Sequence, residues 1–89
     1  RKNVPPYVKA AREPLSYVGV NSVGLRRRGF STETILQIED IYRSIYVRGL
    51  NLSNAVRVIE QEAPQSPEKE FILKFIAEST KGMIRGPLN

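Results

Sequence analysis

A chain of 89 residues with a net charge of +5, no histidine and no cysteine is one domain at most, and it removes only about 60 to 65 per cent of its unfolded surface from water. Without cysteine there is no disulfide framework and no thiolate zinc site; without histidine the usual general base near neutral pH is missing, so the composition points to a non-catalytic piece with no metal and no cofactor. The charge is uneven: residues 1–30 carry seven basic residues against one acid, +6, and residues 31–89 seven against eight, −1, so an anionic partner is expected on the front segment. No apolar run approaches the roughly 18 residues of a membrane span, which predicts a soluble, untargeted, cytoplasmic chain without membrane insertion.

Residues 3–20 read as extended. Pro5, Pro6 and Pro14 oppose helix, while Tyr7, Val8, Leu15, Tyr17 and Val18 favour strand. Short strands cannot satisfy their own backbone groups, and nothing later in the chain reads as a partner. The segment is therefore expected to be the last part of a sheet whose other strands lie outside this chain. It should pack on the helices through Leu15, Tyr17 and Val18, with free edges that pair across a chain contact.

From Asn21 the pattern turns helical. Asn21 as N-cap and Gly29 just past the end predict a two-turn helix between them. Ser31 caps a longer helix over 32–48, with Phe30 placed to pack on Ile35 and with Ile35, Leu36, Ile38, Ile41, Tyr42, Ile45 and Tyr46 on its buried face; Gly49 ends it. Asn51 opens a third helix over 52–62 that offers Leu52, Ala55, Val56 and Ile59 to the core, and Pro64 closes it. The fourth begins at Ser66 and Pro67 with Glu68 and Glu70 in its first turn, turns Phe71, Ile72, Phe75 and Ile76 inward, and ends near Lys81 and Gly82. Residues 83–89 read as a tail with little local reason to order. The fold class is mainly α: a small helical bundle preceded by an extended segment.

Chemistry-bearing residues converge only between Gly19 and Phe30. Three consecutive arginines, Arg26, Arg27 and Arg28, fan across roughly 200° of a helix, so at most two share a ligand. Asn21, Gly24 and Arg28 fall on one face, with Arg27 beside Gly24, and the missing side chain at Gly24 is expected to leave a gap for a polar anion between an amide and a guanidinium. A structural reading accounts for the same residues: cations suit a helix C-terminus, Asn is a routine cap, and Gly permits close packing. Tyr42 and Tyr46, four apart, read as core residues with hydroxyls at the rim rather than as a stacking platform.

Val4-Pro5-Pro6-Tyr7-Val8, the run from Gly19-Val20-Asn21 through Arg27-Arg28-Gly29-Phe30-Ser31, and the closing Phe75-Ile76 with Ser79-Thr80-Lys81-Gly82-Met83-Ile84-Arg85 together resemble the C-terminal part of the acyl-ACP:UDP-N-acetylglucosamine O-acyltransferases, hexapeptide-repeat enzymes of lipid A biosynthesis. The resemblance implies a left-handed parallel β-helix that forms a homotrimer, with residues 1–20 as its last coil and exit and residues 21–89 as a C-terminal helical domain. It implies transfer of a 3-hydroxyacyl chain from acyl carrier protein to the glucosamine 3-hydroxyl of UDP-N-acetylglucosamine, with the catalytic histidine outside this chain. It places UDP-sugar binding on Asn21, Arg27 and Arg28, and carrier-protein docking on Arg26. At the position of Val23 some relatives hold an acid that contacts the ribose, a contact valine cannot make. The competing reading is a stand-alone helical nucleic-acid-binding domain built on the arginine run. Against it, the long second helix carries Glu33, Glu39 and Asp40, and no helix presents a basic, base-reading face.

Overall fold

Short polar residues open the four helices found among the described residues. In the computed structural model, which describes residues 3–11, 15–79, 84 and 86, Asn21 caps α1 (Ser22–Arg27), Ser31 caps α2 (Thr32–Tyr46), Asn51 caps α3 (Leu52–Glu62) and Ser66 caps α4 (Pro67–Glu78). Each side-chain oxygen accepts the amide three residues on, satisfying a donor that the helix itself cannot. The ends are local too. α2 stops at Tyr46, two residues before the predicted end, because the amides of Val47 and Arg48 both donate to the carbonyl of Arg43 and Gly49 turns the chain at a φ of 77°. At Ser79, just past α4, the hydroxyl donates to the carbonyl of Phe75 at 2.7 Å. The expected end markers Lys81 and Gly82 lie outside the described residues, as does Pro14.

The extended segment supplies its own partner strand, where none was expected within the chain. Its two strands, β1 (Val8–Ala11) and β2 (Ser16–Val20), pair with each other in an antiparallel hairpin, so neither needs a partner from outside the chain to satisfy one edge. Lys9 faces Gly19 but Ala10 faces Tyr17, so Val18 is an extra residue on β2. That bulge sets the anchors. In a regular strand positions 17 and 20 point to opposite faces; with one residue inserted, and Gly19 free to adopt a φ of 138°, Tyr17 and Val20 both turn into the core. Leu15 and Val18, expected as anchors beside Tyr17, are exposed.

The core is one cluster. It joins Tyr17 and Val20 of the hairpin, Leu25 of α1, Ile35, Ile38, Ile41 and Tyr42 of α2, Ile59 of α3, Ile72 of α4, and Ile84. α2 is its hub, touching β2, α1, α3 and α4. Ile84 falls in the predicted tail, yet it is 2% exposed: its amide donates to the carbonyl of Asn3 at 3.0 Å and its carbonyl accepts the hydroxyl of Tyr46 at 3.0 Å. Both ends of the described chain therefore meet there. Three helical residues expected inside are exposed. Leu36 of α2, 58% exposed, flanks the stripe that Ile35, Ile38 and Tyr42 define; Leu52 stands at the first position of α3; Phe71 of α4, 52% exposed, lies edge-on to Tyr7.

Tyr42 and Tyr46 behave as core residues with committed hydroxyls. Tyr17 stacks on Tyr46 with ring centroids 4.3 Å apart and planes 12° from parallel, and Tyr42 packs beside both. The hydroxyl of Tyr42 donates to the carbonyl of Pro6 at 2.7 Å, which pins the front segment to the hub helix.

Candidate functional site

α1 is six residues long and buries only Leu25, so its position depends on what holds its two ends. At its start the Asn21 amide donates to the carbonyl of Tyr7 at 2.7 Å and the Asn21 Oδ1 accepts the amide of Gly24 at 3.2 Å. At its close the amide of Phe30 donates to the carbonyl of Leu25 and the amide of Gly29 to that of Arg26, both at 3.0 Å, with Gly29 at a φ of 92°. This is the paired closure of a glycine-terminated helix, and a side chain at Gly29 would oppose it.

The three arginines are all exposed and have separate surroundings. Arg26 donates from Nη1 to the hydroxyl of Thr32 at 3.2 Å, which ties it to the start of α2. The guanidinium of Arg28 lies 5.6 Å from the ring centroid of Phe30, within cation–π range. Arg27 has no side-chain partner among the described residues. The gap expected over Gly24 does not exist: a Cβ there would lie 2.6 Å from the Asn21 Nδ2, because the capping carboxamide folds back over the glycine. Gly24 therefore makes room for the cap rather than for a ligand. The Asn21 Nδ2 lies over Gly24, while Val23 stands 62% exposed on the same helix.

The aromatic wall behind α1 was not legible as part of a site. Tyr7 sits edge-on to Phe30 and to Phe71, with centroids 5.9 Å apart in each case. Partial burial raises the Tyr7 phenol above its ordinary value; the nearby carboxylate of Glu68 adds to this and the Arg28 guanidinium opposes it. Pro5 and Pro6 are the only local sign that this stretch is constrained. Among the described residues no group of three or more metal-ligating side chains occurs and no helix is long and apolar enough to cross a membrane.

A family model described as UDP N-acetylglucosamine O-acyltransferase, domain 2, matches residues 3–84. The chain belongs to this acyltransferase family. Relatives named as acyl-[acyl-carrier-protein]–UDP-N-acetylglucosamine O-acyltransferase include one from Chlorobium phaeobacteroides, 44% identical over 81 residues, covering 90% of this chain and 31% of the relative. Another, from Tolumonas auensis, is 38% identical over 84 residues, covering 94% and 32%. The crystal structure of a UDP-N-acetylglucosamine acyltransferase from Bacteroides fragilis superposes with a TM-score of 0.93 at 53% identity, covering 96% of this chain and 33% of that one. The chain thus spans about a third of the length of the acyltransferases it matches, corresponding to their C-terminal part. The four helices and strand pair of the described residues agree with the expected mainly α class.

Proposed function

We propose that this chain is the substrate-side domain of an enzyme that transfers a 3-hydroxyacyl chain from acyl carrier protein to the glucosamine 3-hydroxyl of UDP-N-acetylglucosamine, the first step of lipid A biosynthesis. The observation that carries the reading is the family match over residues 3–84, together with an exposed Arg27 whose guanidinium is uncommitted among the described residues. In this reading residues 1–20 are the exit of a left-handed parallel β-helix, residues 21–89 are the helical domain that follows, and the whole is a cytoplasmic homotrimer. The chain holds no histidine, so the general base comes from elsewhere in the enzyme and this chain alone turns over no substrate. Asn21 Nδ2 and Arg27 address the sugar nucleotide, with Arg28 adjoining, because donors of this kind pair with phosphate and sugar oxygens. Arg26, steadied by Thr32, meets the acidic carrier protein. The nucleic-acid reading finds no support among the relatives described above.

Titration of the chain with UDP-N-acetylglucosamine, followed by NMR at the backbone and arginine side-chain signals, tests the assignment. Arg27→Ala is expected to weaken binding by about 1.5 to 3 kcal/mol, the scale of a charge-assisted hydrogen bond, and to leave the melting temperature unchanged. Arg26→Ala should leave nucleotide binding intact and weaken carrier-protein association, an effect that shrinks as salt rises. An Arg27→Ala chain that melts early and binds as before would show the arginines to be structural.

A further inference from the structure

Tyr7 is the one non-glycine residue with a positive φ among the described residues, at 71°. A ring-bearing side chain keeps that conformation only when its surroundings over-determine it. Here they do so from three directions. Upstream, the Pro6 carbonyl is pinned by the Tyr42 hydroxyl at 2.7 Å. On the backbone, the Tyr7 carbonyl takes the Asn21 amide at 2.7 Å. On the side chain, the ring is held edge-on between Phe30 and Phe71, 5.9 Å from each.

Two of these attachments bracket the arginine-bearing helix. Asn21 is the cap that starts α1, and Phe30 supplies the amide that closes its end and the ring that Arg28 overlies. A six-residue helix with one buried side chain cannot hold itself, since two turns barely repay nucleation. We propose that Tyr7 is a positioning residue for α1: its carbonyl fixes where the helix begins and its ring fixes where it ends, so that Arg27 meets an anionic ligand from a rigid frame. This rests on the reading of α1 as a sugar-nucleotide site. The strain at Tyr7 is explained by that task, because a relaxed backbone at this position would not turn the carbonyl toward Asn21 and the ring toward Phe30 at once. The phenol hydroxyl takes no part in either attachment.

The test compares Tyr7→Gly, Tyr7→Phe, Phe71→Ala and Arg27→Ala in the 89-residue chain, by amide hydrogen exchange and by titration with UDP-N-acetylglucosamine. Glycine tolerates the positive φ, so Tyr7→Gly removes the ring without adding backbone strain. It should speed exchange at Asn21 and Phe30 about tenfold while Ile38 and Ile59 hold their rates, and should weaken nucleotide binding by a few-fold; both estimates follow from loss of a local clamp rather than of the core. Phe71→Ala, which removes one exposed wall of the clamp and leaves the core intact, should move both readouts the same way by less. Tyr7→Phe should restore both to within about twofold, since it retains ring and carbonyl. Uniform acceleration through all four helices would make Tyr7 an ordinary core residue and overturn the inference. Binding unchanged in Tyr7→Gly but lost in Arg27→Ala would overturn the inference alone, whereas Arg27→Ala binding as tightly as the parent would remove the sugar-nucleotide reading and the inference with it.

Discussion

Lys69 is 4% exposed, although its neighbours Glu68 and Glu70 make it read as one charge in a solvated run. Its ammonium donates to the carbonyls of Ala63 at 2.9 Å and Glu60 at 3.2 Å, at and just before the C-terminal end of α3, where the helix dipole favours a cation. No carboxylate is needed to bury it. The contact locks the beginning of α4 onto the end of α3, a task the sequence pattern assigns to no residue. Lys69→Met keeps much of the aliphatic stem and removes the donors, and should cost about 1 to 3 kcal/mol in urea unfolding. Lys74→Met, on an exposed position of the same helix, should stay within about 0.5 kcal/mol. Matching losses would mean that the ammonium is not what holds the corner. Asn21 is committed in the same local way at the candidate site: its side-chain oxygen accepts the amide of Gly24 and caps α1.

At the scale of elements, the hairpin shows how one inserted residue decides which side chains reach the core. With Val18 as the bulge, Tyr17 and Val20 face inward together and Tyr17 stacks on Tyr46. Tyr17→Ala should therefore cost about 3 to 5 kcal/mol, the usual range for removing a buried aromatic. Val18→Ala should change stability by less than about 0.5 kcal/mol. Chemical denaturation of the two variants checks this, and a larger loss at Val18 would favour a regular pleat with Val18 inside. α1 stands at the other extreme: its ends are held by Tyr7 and by the Phe30 closure rather than by a broad buried face, and its three arginines are exposed.

For the whole molecule, the four tyrosines bind the front segment, the hub helix and Ile84 into one core, and their ionisation couples to unfolding. Burial pushes the Tyr46 phenol up to about 12, with Tyr17 adding to the shift. Tyr42 is raised further, by burial and then by its tyrosine neighbours. An unfolded chain releases these protons near pH 10 while the folded chain retains them, so between about 10 and 12 the unfolded state binds fewer protons and stability falls as pH rises. Below about pH 10 this stabilisation is fully present. Melting temperature should decline from about pH 10 upward, with phenolate absorbance rising in step with unfolding, and Tyr46→Phe should make the decline shallower. A phenolate signal that rises while the chain stays folded would contradict the burial of these hydroxyls. Much of this molecule was legible beforehand. The caps Asn21, Ser31, Asn51 and Ser66, the stop at Gly49 and the basic helix α1 follow from the sequence because each depends on hydrogen bonds or charges within a few residues along the chain. The tertiary structure alone decided the pairing of β1 with β2, the bulge at Val18, the burial of Lys69 and Ile84, the filled space over Gly24 and the strained Tyr7. Each of these depends on which groups meet in space, and neither residue type nor spacing encodes the register of a strand pair or the backbone angle that a distant carbonyl and two aromatic rings impose.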